Sequence, residues 1–109
     1  MMGKYIYIAG PITGEPVRGT ARAILAGNKL AKLGHYPYVP HLNLLWQLVT
    51  PHDVDFWYDF DLRWLFKCDC LLRLSGKSYG ADKEVEFAQQ HGIPVFYKMS
   101  ELLKWLEEN

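Results

Sequence analysis

Short β-rich runs alternate with helical repeats along the whole sequence, and this alternation restricts the fold more than any other feature. Residues 4–9, Lys-Tyr-Ile-Tyr-Ile-Ala, form a strand-like run that stops at Gly10-Pro11. Gly14, Pro16 and Gly19 extend that breaker into a loop. A helix over 20–33 follows, capped by Thr20, with Ala23, Ile24, Gly27, Leu30 and Ala31 on one face and Gly34 as its stop. Residues 36–39 read as a short strand, and Pro37 within it favours a sheet edge. Residues 41–50 fit either a short helix or a loop rich in large apolar groups. A second helix is expected over 53–67, opened by Pro51 and by acidic residues in its first turn. Then come a buried strand over 69–74, a Gly/Ser loop over 75–80 and a third helix over 81–91 with Gly92 as its stop. A fourth strand over 93–97 and a terminal helix over 100–108, capped by Ser100, complete the pattern.

Strands that alternate with helices pair in parallel through helical crossovers, and helices then cover the sheet. The expected fold class is α/β: one flavodoxin- or Rossmann-like domain over residues 1–109. Its four- to five-stranded parallel sheet has the order 2-1-3-4, with helices on both faces. No internal repeat, linker or low-complexity segment interrupts the chain.

Composition removes several function classes. Lys plus Arg count 12 and Asp plus Glu count 12, so the formal net charge is zero. A binder of nucleic acid polymers or a polybasic membrane anchor would carry a basic excess. No apolar run approaches the roughly 18 residues of a membrane span. Met1-Met2-Gly3-Lys4 lacks the layout of a secretory leader, so a cytoplasmic location is expected. An aromatic content of 15% argues against disorder. Cys68 and Cys70, if both lie on one strand, point the same way with α-carbons near the upper limit for a disulfide. They are expected to be buried structural thiols. The four His are scattered without ligand spacing, so neither a metal nor another cofactor is expected.

In an open parallel sheet, ligands bind beyond the carboxyl ends of the strands, where the strand order reverses. Two glycine-rich loops meet there: Gly10-Pro11-Ile12-Thr13-Gly14 and Ser75-Gly76-Lys77-Ser78-Tyr79-Gly80. Both allow a ligand close to backbone, and the second opens a helix whose free N–H groups favour an anion. Neither matches the GxxxxGK[ST] or GxGxxG phosphate patterns.

Two carboxylates break the helical pattern. The helix from Asp53 has an apolar stripe at Trp57, Phe60, Trp64, Leu65 and Cys68, and Asp61 falls inside it. Asp53, Asp55 and Asp59 are explained as first-turn or exposed charges. The next helix has Ala81, Val85, Ala88 and Gly92 on its inward face, and Glu84 lies on that face. Core positions seldom carry charge without a cause. That cause is either a functional pocket or a structural role, in which each carboxylate caps a loop or forms an ion pair with Arg63, Arg73 or Lys77. Paired carboxylates facing a pocket can do glycosyl chemistry, one attacking the anomeric carbon while the other assists the leaving group. Tyr7, near the end of the first strand, is placed to hydrogen-bond one of them. Trp46 and Trp57 are of a type that stacks on a nucleobase or fills a core.

The strand and loop Tyr5-Ile6-Tyr7-Ile8-Ala9-Gly10-Pro11-Ile12-Thr13-Gly14 are the first element of a wider resemblance. The helix ending at Gly34, Pro40-His41, Asp61-Leu62 and Cys68-Asp69 are the middle elements, and Ser78-Tyr79-Gly80-Ala81-Asp82-Lys83-Glu84 is the last. In this order and spacing they resemble the nucleoside 2-deoxyribosyltransferase superfamily, especially its short members from phages and bacteria. The resemblance covers nearly the whole chain.

It implies that Glu84 is the nucleophile forming a covalent glycosyl-enzyme, that Asp61 assists departure of the base, and that Tyr7 orients the glutamate. It places Gly10, Pro11, Ile12, Thr13 and Gly14 against the sugar or its 5′ side. His41, Trp57, Ser78 and Gly80 complete the expected substrate contacts. Ser78 stands where transferases acting on free nucleosides often carry an aspartate and deoxynucleoside 5′-monophosphate N-glycosidases a serine. The resemblance therefore leans towards a 5′-monophosphate, with Lys77 or Arg18 available to pair with it. Thr13 departs from the arginine that such hydrolases tend to have. No C-terminal counterpart of the family's neighbouring-subunit residue is found over 99–109.

Tyr58, Leu62 and Phe66 make a second apolar strip beside the one holding Asp61. A helix apolar on two faces buries both, so a homo-oligomer, at least a dimer, is expected. The expected activity is cleavage or deoxyribosyl transfer at the N-glycosidic bond of a deoxynucleoside or its 5′-monophosphate. The alternative is a non-catalytic nucleotide-binding module of the same fold. Either takes a small-molecule nucleoside or nucleotide as partner.

Overall fold

A computed structural model describes residues 3–109; Met1 and Met2, the start of the segment read above for a leader, lie outside them. The elements alternate as the sequence requires. They are β1 (Tyr5–Ala9), α1 (Pro16–Lys32), β2 (Tyr36–Tyr38), a 3-10 turn (Pro40–Leu42), α2 (Asn43–Val49) and α3 (Val54–Phe66). After these come β3 (Cys70–Arg73), α4 (Tyr79–Gln90), β4 (Val95–Phe96) and α5 (Met99–Glu108). The four strands pair in parallel in the order β2-β1-β3-β4. That is the order expected from the alternation, and Pro37 sits on the edge strand, where a missing N–H costs no ladder bond.

The pleat sorts side chains onto two cores. Ile6, Ile8, Cys70 and Leu72 face Ala23 and Leu30 of α1 and Leu102 and Leu106 of α5. Tyr7, Ala9 and Leu71 face the other way, onto Leu65 of α3 and Ala81, Val85 and Ala88 of α4. Helices therefore cover both faces. Tyr7 and Tyr38 are register partners on the α3/α4 side, with ring centroids 5.5 Å apart.

Several element starts differ from the sequence reading, each for a local reason. Helix α1 opens at Pro16, not after Thr20. Proline at the first helical position has its φ already set, and the Gly19 amide bonds the Glu15 carbonyl at 2.8 Å. Thr20 is thus interior and caps nothing. Helix α4 starts at Tyr79 because Ser78 is its cap, accepting from the Ala81 amide at 3.1 Å. Helix α5 starts at Met99, so Ser100 lies inside its first turn and does not cap it. Asp69 precedes β3; its carboxylate accepts the Tyr5 amide at 2.8 Å and closes the strand end. Cys68 follows α3, with its thiol on the Trp64 carbonyl, so it does not share a strand with buried Cys70. Both thiols are free, and burial pushes each up to about 12.

The ambiguous 41–50 segment is the 3-10 turn and α2, and no residue of α2 is buried. Leu45, Leu48 and Val49 are 69%, 75% and 80% exposed. On α3, Tyr58 and Phe66 are also exposed, whereas Leu62 packs on the core. Among the described residues, no helix is long and apolar enough to cross a membrane.

Candidate active site

Tyr7 lies on a central strand with no exposed surface, so its hydroxyl must find a partner inside the protein. It donates to Oε2 of Glu84, across 77 positions of sequence. On the adjacent strand, the Tyr38 hydroxyl donates to Oδ1 of Asp61 at 3.2 Å. Asn43, the first residue of α2, donates to the same oxygen at 3.0 Å. Neighbouring tyrosines of the sheet thus each hold one carboxylate from the helices above. The ion-pair explanation for these carboxylates fails: Arg63 pairs with Asp59 and Arg73 with Asp82. Among the described residues, no salt bridge includes Asp61 or Glu84.

Glu84 and Asp61 border one cavity of about 670 Å³. It lies beyond the carboxyl ends of β1 and β3, where the strand order reverses. Of the sequence-derived contacts, Gly10, Ile12, Thr13, His41, Trp57, Ser78 and Gly80 line this cavity. Tyr7 lies beneath it and holds Glu84 from below. Pro11 instead lines a neighbouring notch, and Gly14 lines neither space. Trp46 also stays outside the cavity lining; it meets the edge of Trp57 with centroids 5.3 Å apart. The Trp57 indole N–H donates to Oε1 of Gln47, which also accepts the His52 amide at 2.9 Å. That bond fixes Trp57 and Gln47 together in the cavity wall.

The local electrostatics are unusual for carboxylates. Burial raises Glu84 to about 8; nearby Asp61 adds to the rise, while the Tyr7 hydrogen bond and Arg73 oppose it. Burial also raises Asp61 to about 6 against the hydrogen bonds from Tyr38 and Asn43. Around neutrality the pair therefore holds one proton between two carboxylates. Tyr7 is pushed well above the usual phenol range, by burial first and then by Glu84, and stays a donor. His41 is 1% exposed, and neither ring nitrogen has a hydrogen bond of good geometry, although the Gly10 and Pro11 carbonyls are close. Burial lowers its basicity, so the ring is neutral and can serve a ligand as donor or acceptor. No group of three or more His, Cys, Asp or Glu that could hold a metal occurs among the described residues.

Arg73 organises the second loop. Its nearly buried guanidinium donates to the carbonyls of Leu74 and Gly76 and to Asp82, tying the end of β3 to the start of α4. Tyr38, Asn43 and Gln47 escaped the sequence reading, and Arg73 entered it only as a candidate ion-pair partner of the inward carboxylates. Each is an ordinary strand, helix or loop residue locally, and its role comes from a partner elsewhere in the chain.

A family model described as a domain of unknown function, DUF4406, matches residues 4–97. The chain belongs to the DUF4406 family. No curated protein matches it. Among solved structures, this DUF4406 chain is similar to a 2-deoxyribosyltransferase from the psychrotolerant bacterium Bacillus psychrosaccharolyticus. The TM-score is 0.65 at 24% identity, over 84% of this chain and 69% of that one. The DUF4406 chain thus has the fold that the sequence motifs implied.

Proposed function

We propose that this DUF4406 chain cleaves or transfers at the N-glycosidic bond of a deoxynucleoside or its 5′-monophosphate. The observation that carries this reading is the pair of carboxylates, in no salt bridge among the described residues, at one cavity of nucleoside-accommodating size. The reactive form is the one in which the pair's single proton has moved from Glu84, which holds it more tightly, to Asp61; a carboxylate oxygen of Glu84 then forms a bond to the anomeric carbon as the bond from that carbon to the base nitrogen breaks. The base leaves with the electron pair and takes a proton from Asp61. Water or a second base then attacks the anomeric carbon, frees Glu84 and returns a proton to Asp61. Tyr7 fixes which oxygen of Glu84 is free to attack. The likeness to a 2-deoxyribosyltransferase fold supports this chemistry. A 5′-phosphate fits beside Ser78, whose hydroxyl proton remains available while its oxygen caps α4.

Incubation with a panel of deoxynucleosides and their 5′-monophosphates, followed by separation of free base, tests the proposal. The expected profile of kcat/KM against pH is a bell with limbs near 6 and 8. Below the lower limb both carboxyls hold protons and no nucleophile exists; above the upper limb both are ionised and no acid remains. A flat profile across that range would remove the pair from the mechanism. The elevated Glu84 also favours a second reading, because a protonated carboxyl binds better than it attacks. A nucleotide-binding module would show ligand-dependent thermal stabilisation with no base released from any member of the panel.

The proposal includes a homo-oligomer. The segment 42–51 carries no Asp, Glu, Lys or Arg, and its exposed Leu42, Leu45, Leu48 and Val49 continue onto Val54. These residues expose several hundred Å², about the scale of one partner's half of a small stable interface. The zero net charge means that copies do not repel. A second copy covering α2 would also back the cavity wall made by Asn43, Leu44 and Gln47. Light scattering at micromolar concentration is expected to give at least a dimer mass. Leu48→Asp with Val49→Asp, both on exposed positions, is expected to shift it to monomer with little change in fold. A monomer mass for the unaltered chain removes the oligomer from the proposal.

A further inference from the structure

Beside the main cavity lies a second space of about 190 Å³, a notch between the first turns of α1 and the loop after β3. Its rim with the main cavity is shared through Thr13 and Lys77. Three cations, Arg18, Arg22 and Lys77, line it against one acid, Glu15. The Arg18–Glu15 pair spans 3.3 Å with both side chains largely in water, and an exposed pair of this kind is weak enough to reopen for a ligand. Arg22 is more fixed: it donates to the Ser75 hydroxyl at 3.2 Å, which holds it across the notch. Gly76, at φ +116°, gives the loop a turn that side-chain-bearing residues rarely adopt and packs against Pro11. A backbone built for close approach and an excess of positive charge together describe an anion site.

Its position selects the kind of anion. Ser78 and the start of α4 line only the main cavity, Arg18 and Arg22 line only the notch, and Thr13 and Lys77 border both. A group bonded directly to a sugar in the main cavity is therefore assigned to Ser78, and a group one linkage further out to the two arginines. We propose that the notch binds the distal phosphate of a phosphoanhydride, so that the preferred ligand is a deoxynucleoside carrying two or more phosphates. The choice of a nucleoside for the main cavity rests on the function proposed above; the choice of a phosphoanhydride rests on the notch. Lys77, on the rim, neutralises the bridge between the two phosphates, while Arg18 and Arg22 take the outer oxygens.

Calorimetric titration of the full chain with a deoxynucleoside, its 5′-monophosphate, its 5′-diphosphate and inorganic pyrophosphate tests this. The diphosphate is expected to bind at least about tenfold tighter than the monophosphate, the worth of one or two charge-assisted hydrogen bonds. Arg18→Ala with Arg22→Ala, both on exposed positions of α1, is expected to erase that increment and weaken pyrophosphate, while the bare nucleoside binds as before. Equal affinity for mono- and diphosphate on the unaltered chain overturns the proposal, and that comparison needs no variant. An increment that survives in the double variant also overturns it. Failure of the nucleoside chemistry reads differently, as no base released from any ligand, and leaves the affinity comparison intact.

Discussion

Replacing Glu84 by glutamine is expected to abolish base release and, in the same protein, to raise the melting temperature at pH 8. The loss follows from removing the atom that attacks the sugar. An amide oxygen is far less nucleophilic than a carboxylate, and removal of a covalent nucleophile lowers kcat by at least about a thousandfold. The gain follows from the buried position of Glu84 and from its proton. In the folded chain Glu84 keeps its proton up to about 8, whereas the unfolded chain releases it near the ordinary value of 4.5. As pH rises through that window the folded state binds the proton more tightly than the unfolded state, so the unaltered protein loses stability. Below 4.5 both states are protonated and the difference vanishes. Glutamine copies the shape of the protonated acid, still accepts the Tyr7 hydroxyl and does not titrate. Its advantage should therefore be small at pH 4.5 and reach roughly 2–4 kcal/mol at pH 8. Thermal melts at the two pH values check the stability half, and base release checks the other. Equal melting shifts at both pH values would contradict the burial of an acid at this site.

Gly19→Ala is expected to destabilise the protein by roughly 2–3 kcal/mol, lowering the melting temperature by about 10–15 °C. By helix propensity alone the change should help, because alanine in a helix interior is favoured over glycine by about 1 kcal/mol. Packing reverses the sign. A β-carbon at Gly19 would stand 2.2 Å from the Pro11 carbonyl oxygen and 3.2 Å from its carbon. Both are backbone atoms, so relief requires α1 or the first loop to move. That loop carries Ile12 and Thr13 into the cavity, so ligand binding should weaken along with stability. Gly80→Ala is the matching control. Its β-carbon would meet only a Tyr58 ring carbon at 3.8 Å, an ordinary contact, and helix propensity should then prevail. Differential scanning calorimetry of the two variants would show opposite shifts; a stabilising Gly19→Ala would mean that the first loop yields easily.

The parts of the site that were legible in the sequence are those with a local period. Asp61 and Glu84 stood out because a 3.6-residue repeat assigns each position a face, and a charge on the inner face is an anomaly without reference to any other residue. Ser78 was readable as a loop residue before a helix, but its capping bond moved the start of α4 to Tyr79. Thr20 and Ser100 misled for the complementary reason: the right residue type for a cap also occurs inside helices, and Pro16 and the turn at Lys98 decided where those helices began. Tyr38 and Asn43 gave no local sign at all. Asn43 lies 18 positions from Asp61 and Tyr38 lies 23, and only the turn after β2 brings them onto one carboxylate oxygen.

Local pattern in the chain was enough for the strand–helix alternation, for the parallel sheet that follows from it, and for the two of the 12 acids that could not be placed in water. These are consequences of chain stereochemistry and hydrophobic periodicity, which act over a few residues. What those acids became depended on contacts between distant parts of the chain. The register of β1 against β2 set Tyr7 beside Tyr38, burial raised both carboxyls, and Arg63 and Arg73 were drawn to Asp59 and Asp82 instead. The cationic notch arose in the same way, from α1 and the loop after β3 meeting across the glycine contact with Pro11. Solvation and charge pairing depend on which surfaces come within a few ångströms of each other, and no local pattern in the chain encodes that.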